Sequence, residues 1–171
     1  MSDINKQIWE FLKSKGLTDY ACAGVEGNLY CESGCRSNNL QNTYEKSLGM
    51  SDEEYTRKVD SGEYTNFVHD SAGYGLAQWT YWSRKQNLLQ YAHNRDTSIG
   101  NLEMQLDFLW QEMPKSLIDA FHLEYTFGYR WRRICHLAEH HLEIPCPTIY
   151  DGFGSRCRIG GQWFTDANSI P

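Results

Sequence analysis

Gly27-Asn28-Leu29-Tyr30-Cys31-Glu32-Ser33-Gly34 is the stretch on which the reading of this chain turns. Counting back from Glu32, Leu29 lies three residues earlier, Val25 seven and Ala21 eleven. That is one face of a helix with a 3.6-residue period. The glycine after Ser33 breaks the helix. Glu32 is therefore predicted at the rim of a core-facing stripe, on the last turn of a buried helix. A carboxylic acid there loses hydration, and desolvation raises its pKa. Glycoside hydrolysis uses a glutamic acid poised in this way, with a pKa near ~6, as a general acid. The plain alternative is a helix-terminal glutamate paired with an arginine.

Upstream, residues 3–15 predict an amphipathic helix with Ile4, Ile8, Phe11 and Leu12 as its stripe, closed by Lys15 and a Gly16 cap. Thr18 or Asp19 caps the second helix, which runs to Ser33. Gly24 and Gly27 lie inside it, each costing up to ~1 kcal/mol of helix propensity relative to Ala. Glycines kept at that cost point to a close backbone approach and a central position. Cys22 and Cys31 are expected to pack as small apolar residues.

Downstream, Arg36-Ser37-Asn38-Asn39-Leu40-Gln41-Asn42 is dense in amides. It is either a polar loop or, beside an acid, a set of groups such as Asn39 and Gln41 that hold sugar hydroxyl and N-acetyl groups. Ser51-Asp52-Glu53-Glu54 is a capping box that opens a short helix ending near Gly62, read as an exposed insertion. Residues 64–79 are rich in β-formers and glycine and predict strands or a hairpin turning near 70–75. Ser83-Arg84-Lys85-Gln86 is a second capping-box match, for a helix over 81–94 with Leu88, Leu89 and Ala92 inward. Ile99, Leu102, Leu106, Leu109 and Met113 predict a core helix over 99–113, stopped by Pro114.

The chain has 171 residues, 40% of them apolar, enough for one domain with a real core. Net charge is −6 with no basic run, which argues against binding nucleic acid through its phosphates. No stretch approaches 18 apolar residues, so no membrane span is expected. The first residues lack a charged segment followed by an apolar run, so synthesis in a cytoplasm without a signal peptide is expected. Aromatic residues make up 14%. Rings in that number suit a carbohydrate groove, because they stack on the apolar faces of sugars; they equally suit a core. Beyond Pro114 the composition shifts. Residues 1–113 hold six Lys and four Arg, whereas residues 114–171 hold one Lys and five Arg. A helix near 129–143 fits, and 144–171 follow neither period.

Two motifs stand about 45 residues apart: the Glu32 stretch with Asn38-Asn39-Leu40-Gln41-Asn42, and Asn66-Phe67-Val68-His69-Asp70-Ser71-Ala72-Gly73-Tyr74-Gly75-Leu76-Ala77-Gln78-Trp79-Thr80. Together they resemble the phage tail-type lysozyme family, the peptidoglycan-cleaving domains of phage tail proteins and endolysins. A helix-ending Glu-Ser and a later Gly-Leu-x-Gln are more distantly similar to goose-type lysozymes and soluble lytic transglycosylases. The resemblance covers roughly residues 4–112. It implies an α+β, mostly helical, lysozyme-like fold in which a small β-region faces a helical lobe across a substrate groove. By that resemblance, residues 1–113 form the catalytic domain, and 114–171 form its C-terminal part or a divergent tail. It further implies bacterial peptidoglycan glycan strands as substrate, other phage tail proteins as partners, and action on the cell wall as an endolysin or virion tail component. Glu32 matches the catalytic acid, Gly75, Leu76, Ala77 and Gln78 the groove-lining segment, and Trp79 a wall residue.

The bond implied is the β-1,4 link between MurNAc and GlcNAc. Asp70 is the second carboxylate to weigh, either as a base activating water or as an Asx-turn residue holding the hairpin. Should no second carboxylate approach, the N-acetyl group of the substrate can assist, or an anhydro-sugar forms as in lytic transglycosylases. Gln78 and Tyr74 either position substrate or hold structure. Trp79, Tyr81 and Trp82 are read as groove-lining, with at least one of them in the core. No cofactor is expected. His136 and His140, with Cys135, His141, Cys146 and Cys157 near them, suggest a metal. However, no glutamate follows His136 as zinc proteases require. A Cys31–His69 peptidase is disfavoured because Glu32, not Cys31, continues the inward stripe. A cell-wall-binding module with a dead site is the non-enzymatic reading.

Overall fold

The computed structural model describes residues 3–122, 156–159 and 162–165. In order, the elements are α1 (Asp3–Ser14), α2 (Asp19–Ser33), α3 (Asn42–Leu48), α4 (Asp52–Asp60), α5 (Trp82–Asn94), α6 (Leu102–Glu112), α7 (Lys115–His122), β1 (Arg156–Ile159) and β2 (Gln162–Thr165). The protein is mostly helical. Two compact units divide these elements.

The first unit holds α1, α2 as far as Cys31, α7 and the hairpin. α1 buries Ile8 and Leu12 and leaves Ile4 exposed. Its exit is the expected glycine cap. Gly16 takes φ +82°, and its N–H reaches the Lys13 carbonyl at 2.9 Å. Leu17 then drops into the core, and Thr18 caps α2 by accepting from the Ala21 N–H at 3.2 Å. Buried residues of α2 are not confined to one stripe. Ala21, Cys22, Gly24, Val25, Glu26, Asn28 and Leu29 are all buried, so the helix is enclosed on several sides. Cys31 departs from expectation. It is exposed, because it points away from the Ala21–Val25–Leu29 face. Burial pushes the Cys22 thiol up to about 11. β1 and β2 pair antiparallel from Arg156↔Thr165 to Ile159↔Gln162, in a region where neither period is visible in sequence. The remainder of the tail, with Cys135, His136, His140, His141, Cys146 and the helix expected over 129–143, lies outside the described residues.

The second unit, Glu32–Glu112, contains the last turn of α2 and helices α3 to α6. α4 begins as read, with Ser51 Oγ accepting from the Glu54 N–H at 3.2 Å. It is not an exposed insertion. Tyr55 and Val59 are buried, and Tyr55 packs against Tyr64, Phe67 and Tyr74 at centroid distances of 5.3, 6.1 and 5.5 Å. Such tilted ring pairs are favourable beyond their buried area. α5 packs on α6, and Phe108 bridges Trp79 and Tyr91 at 5.5 and 5.4 Å. The second capping box is not used. Ser83 lies inside α5, whose N-cap is Tyr81 without a side-chain bond. α6 starts at Leu102 rather than 99 because Asn101 Oδ1 accepts from the Met104 N–H at 2.9 Å, while Asp60 fixes Ser98 and the Ile99 N–H.

Residues 64–79 do not form the expected strands. They run as turns pinned by two isolated bridges, Leu40↔Tyr74 and Tyr74↔Trp79. Ser71, Gly75 and Gln78 all take positive φ, at 59°, 75° and 46°, so no extended run survives long enough to build a ladder. The reversal falls at 75–78, not 70–75: Tyr74 and Trp79 exchange both backbone bonds, at 3.2 and 2.9 Å. No helix among the described residues is long and apolar enough to cross a membrane.

Candidate active site at the end of the second helix

Glu32 occupies the last turn of α2 and is half-buried. Loss of hydration alone pushes its carboxyl above the ordinary glutamate range. Among the described residues the arginine-paired alternative does not occur. Arg36, Arg57, Arg84 and Arg95 pair with Asp52, Glu63, Glu112 and Asp107. Among the described residues the Glu32 carboxylate makes no hydrogen bond and no ion pair, a condition that leaves it available as a proton donor.

The residue after it secures the helix end. Ser33 Oγ donates to the Leu76 carbonyl at 3.0 Å, both atoms buried. The Leu76 N–H in turn donates to Gln105 Oε1 at 2.9 Å, while Gln105 Nε2 donates to the carbonyls of Ser37 and Ile99 at 2.7 and 2.6 Å. One residue of the 75–78 turn, Leu76, is thus held from α2 on one side and from α6 on the other. Gly75 makes the approach possible. It takes φ +75°, and a Cβ there would sit 2.7 Å from Gln105 Oε1. Removing the hydroxyl with Ser33→Ala should strand the buried Leu76 carbonyl. The expected loss is about 1–3 kcal/mol, read as a lower denaturant midpoint at unchanged slope. An unchanged midpoint would show that the Leu76 carbonyl does not depend on Ser33.

The amide-rich loop is wired into the same turn. The Asn39 carbonyl accepts from the Gly75 N–H at 2.9 Å and from Gln78 Nε2 at 3.1 Å. Gln78 Nε2 also reaches the Gly75 carbonyl at 3.2 Å. Gln41 exchanges backbone and side-chain bonds with Gly73, at 2.9 and 3.0 Å. The Asn39 side chain accepts from Arg36, which is itself bound to Asp52 at 2.7 Å. The Gln41 side-chain nitrogen makes no hydrogen bond among the described residues.

Other expected site residues sit deeper. Tyr74 is buried, with its hydroxyl 2.6 Å from Thr56 Oγ1. Leu76 and Ala77 are buried beside it. Trp79 is the core member of the three aromatics named from sequence. It is fully buried, and its Nε1 donates to Glu112 at 2.8 Å. The Asp70 side chain is 1% exposed. Its Oδ1 accepts from the Ala72 N–H at 2.9 Å and from Lys85 Nζ at 2.5 Å. Its Oδ2 accepts from the hydroxyls of Tyr55 and Tyr64 at 2.5 and 3.1 Å. The Ala72 bond is the Asx-turn geometry weighed for this residue. Sequence reasoning missed Lys85 and Gln105, both fully buried, because nothing in a helical pattern marks a polar residue as enclosed. Among the described residues, no group of three or more His, Cys, Asp or Glu gathers as a metal site would.

A desolvated glutamic acid at a braced helix end is the kind of group that protonates a leaving glycosidic oxygen. The chain belongs to the phage tail lysozyme family, whose sequence profile matches residues 3–131, well over half of its length and past Met113 where the visible resemblance ends. Membership carries a peptidoglycan-lytic role, a glycoside hydrolase-like activity and action on the cell wall as a phage component. No curated protein and no solved structure matches the chain significantly.

Proposed function

We propose that the chain is a muramidase that hydrolyses the β-1,4 bond between MurNAc and GlcNAc, with Glu32 as the general acid. The observation that carries this is the half-buried Glu32 carboxyl, raised in pKa by burial and without a bonding partner among the described residues. At any given pH such a group keeps a larger protonated fraction than an exposed glutamate. The 75–78 turn, tied to Ser33, supplies a fixed wall beside it, and the Gln41 amide nitrogen offers a donor for a sugar oxygen.

Asp70 does not suit the role of base. Its two oxygens accept four hydrogen bonds, so no lone pair is left for a water proton. We assign it to holding the fold. That occupancy favours a second reading, in which the N-acetyl group of the substrate assists or the product closes to an anhydro-sugar. Digestion of purified sacculi, with the released muropeptides read by mass spectrometry, separates hydrolysis, with or without N-acetyl assistance, from closure to an anhydro-sugar. Reducing-end MurNAc marks hydrolysis, and products lighter by one water mark transglycosylation. Sacculi that bind the protein but release nothing would leave only a cell-wall-binding module.

A further inference from the structure

Two large rings of the second unit are exposed, whereas Tyr55, Phe67, Tyr74, Trp79 and Phe108 are buried. Tyr81 is 60% exposed and Trp82 is 52% exposed. They open α5, whose buried positions are Lys85, Leu88 and Ala92. Tyr81 and Trp82 lie 6.1 Å apart, tilted by 42°. The exposed His69 ring stacks on Trp82 at 6.4 Å and 28°. The three rings form a continuous row that is anchored from two sides. Residue 69 precedes Asp70, whose side chain is buried, and residues 81 and 82 follow the buried Trp79.

We infer that Trp82, with His69 stacked against it and Tyr81 tilted beside it, forms a stacking platform for a pyranose ring of the glycan strand. This rests on the reading of the substrate as a glycan. Flat rings of this kind cover the axial C–H face of a sugar while its equatorial hydroxyls stay in water. Ser71 and Thr80, close to the row in the chain, are exposed and neutral. The Ser71 hydroxyl can donate to those hydroxyls, and the Thr80 hydroxyl, which itself donates to the Gln78 carbonyl at 2.9 Å, can accept from them. A lipid surface suits the row poorly. It offers no aliphatic side chain, and the nearby Arg84 is engaged by Glu112 at 2.8 Å. Two half-exposed aromatics whose ring centres lie 6.1 Å apart also lose little side-chain entropy on binding, which is the economy that places Trp and Tyr at binding hot spots.

The test uses the full chain carrying Glu32→Gln, so that binding is measured without turnover. The probe is glycan strands stripped of stem peptides, and retention is read by co-sedimentation. Adding Trp82→Ala should weaken retention about tenfold, and Tyr81→Ala should weaken it by a smaller factor. Trp82→Phe should keep retention within about threefold, because a ring remains. Thermal midpoints taken alongside report folding, and both side chains are exposed enough for these to hold. Equal retention by all variants would overturn the platform, as would Trp82→Phe falling as far as Trp82→Ala. The catalytic reading fails separately. If protein with Glu32 intact releases no fragments while the Trp82 effect persists, the platform stands and the general acid does not.

Discussion

Glu32→Gln is expected to release muropeptides from sacculi about 10²–10⁴-fold more slowly than the wild type, the range in which a positioned general acid contributes. The variant should nevertheless melt no lower. Burial raises the carboxyl above its value in the unfolded chain, so between those two values the folded protein binds more protons. Stability from this group therefore falls as pH rises through that window, and at neutral pH the ionised carboxylate burdens the fold. A neutral amide of the same shape removes the burden, so the thermal midpoint at pH 7 should stay level or rise. The same sign sets the activity profile. The acid works only when protonated, so the alkaline limb of the wild-type rate should fall at a pH above the ordinary glutamate range. Wild-type rates from Glu32→Gln would remove Glu32 as the acid. A lost rate together with a collapsed midpoint would mean that the residue holds structure instead.

The helices that were legible carried either a clean period or a cap. α1 and α2 announce themselves through Ile8, Leu12, Ala21, Val25 and Leu29, and through Gly16 and Thr18 at the corner between them. α3 was invisible because Asn42–Leu48 buries nothing, and only its left-handed Gly49 cap leaves a trace. α4 was found by its capping box but misjudged in depth. Tyr55 and Val59, four residues apart, make a stripe too thin to separate from a surface helix. The 64–79 segment misled because β-forming residues and glycines there serve single bridges and positive-φ positions, not a sheet. Glu32 was legible because its placement follows from helix geometry alone. The bracing of Leu76 by Ser33 and Gln105 joins residues far apart in the chain, and no local pattern encodes such a meeting.

Lys85→Met should be the most damaging change to the fold, costing about 3–5 kcal/mol, because removing one partner of a buried ion pair leaves the other charge uncompensated. Lys85 is 0% exposed. Its ammonium donates to Asp70 at 2.5 Å, to the Ala72 carbonyl at 2.8 Å and to the Tyr55 hydroxyl at 3.4 Å, and lies 4.4 Å from the centre of the Phe67 ring. Burial pulls its pKa below the usual lysine range even with Asp70 beside it. This cluster ties α5 to α4 and to the 67–74 segment, the span that leads into the turn beside Glu32. Replacing the lysine by the uncharged thioether chain of methionine, of similar volume, keeps the packing and deletes the charge, so the loss measures the stranded Asp70 together with the Ala72 carbonyl. The double variant Lys85→Met with Asp70→Asn removes both charges and should recover part of that loss; no recovery would mean that the damage is steric. Asp70→Asn by itself also decides between the two roles weighed for that residue. Assayed well below its own melting midpoint, it should release muropeptides at a rate within a few-fold of wild type, since on this account Asp70 only holds the fold. A drop of 10² or more under folded conditions would restore it as the base.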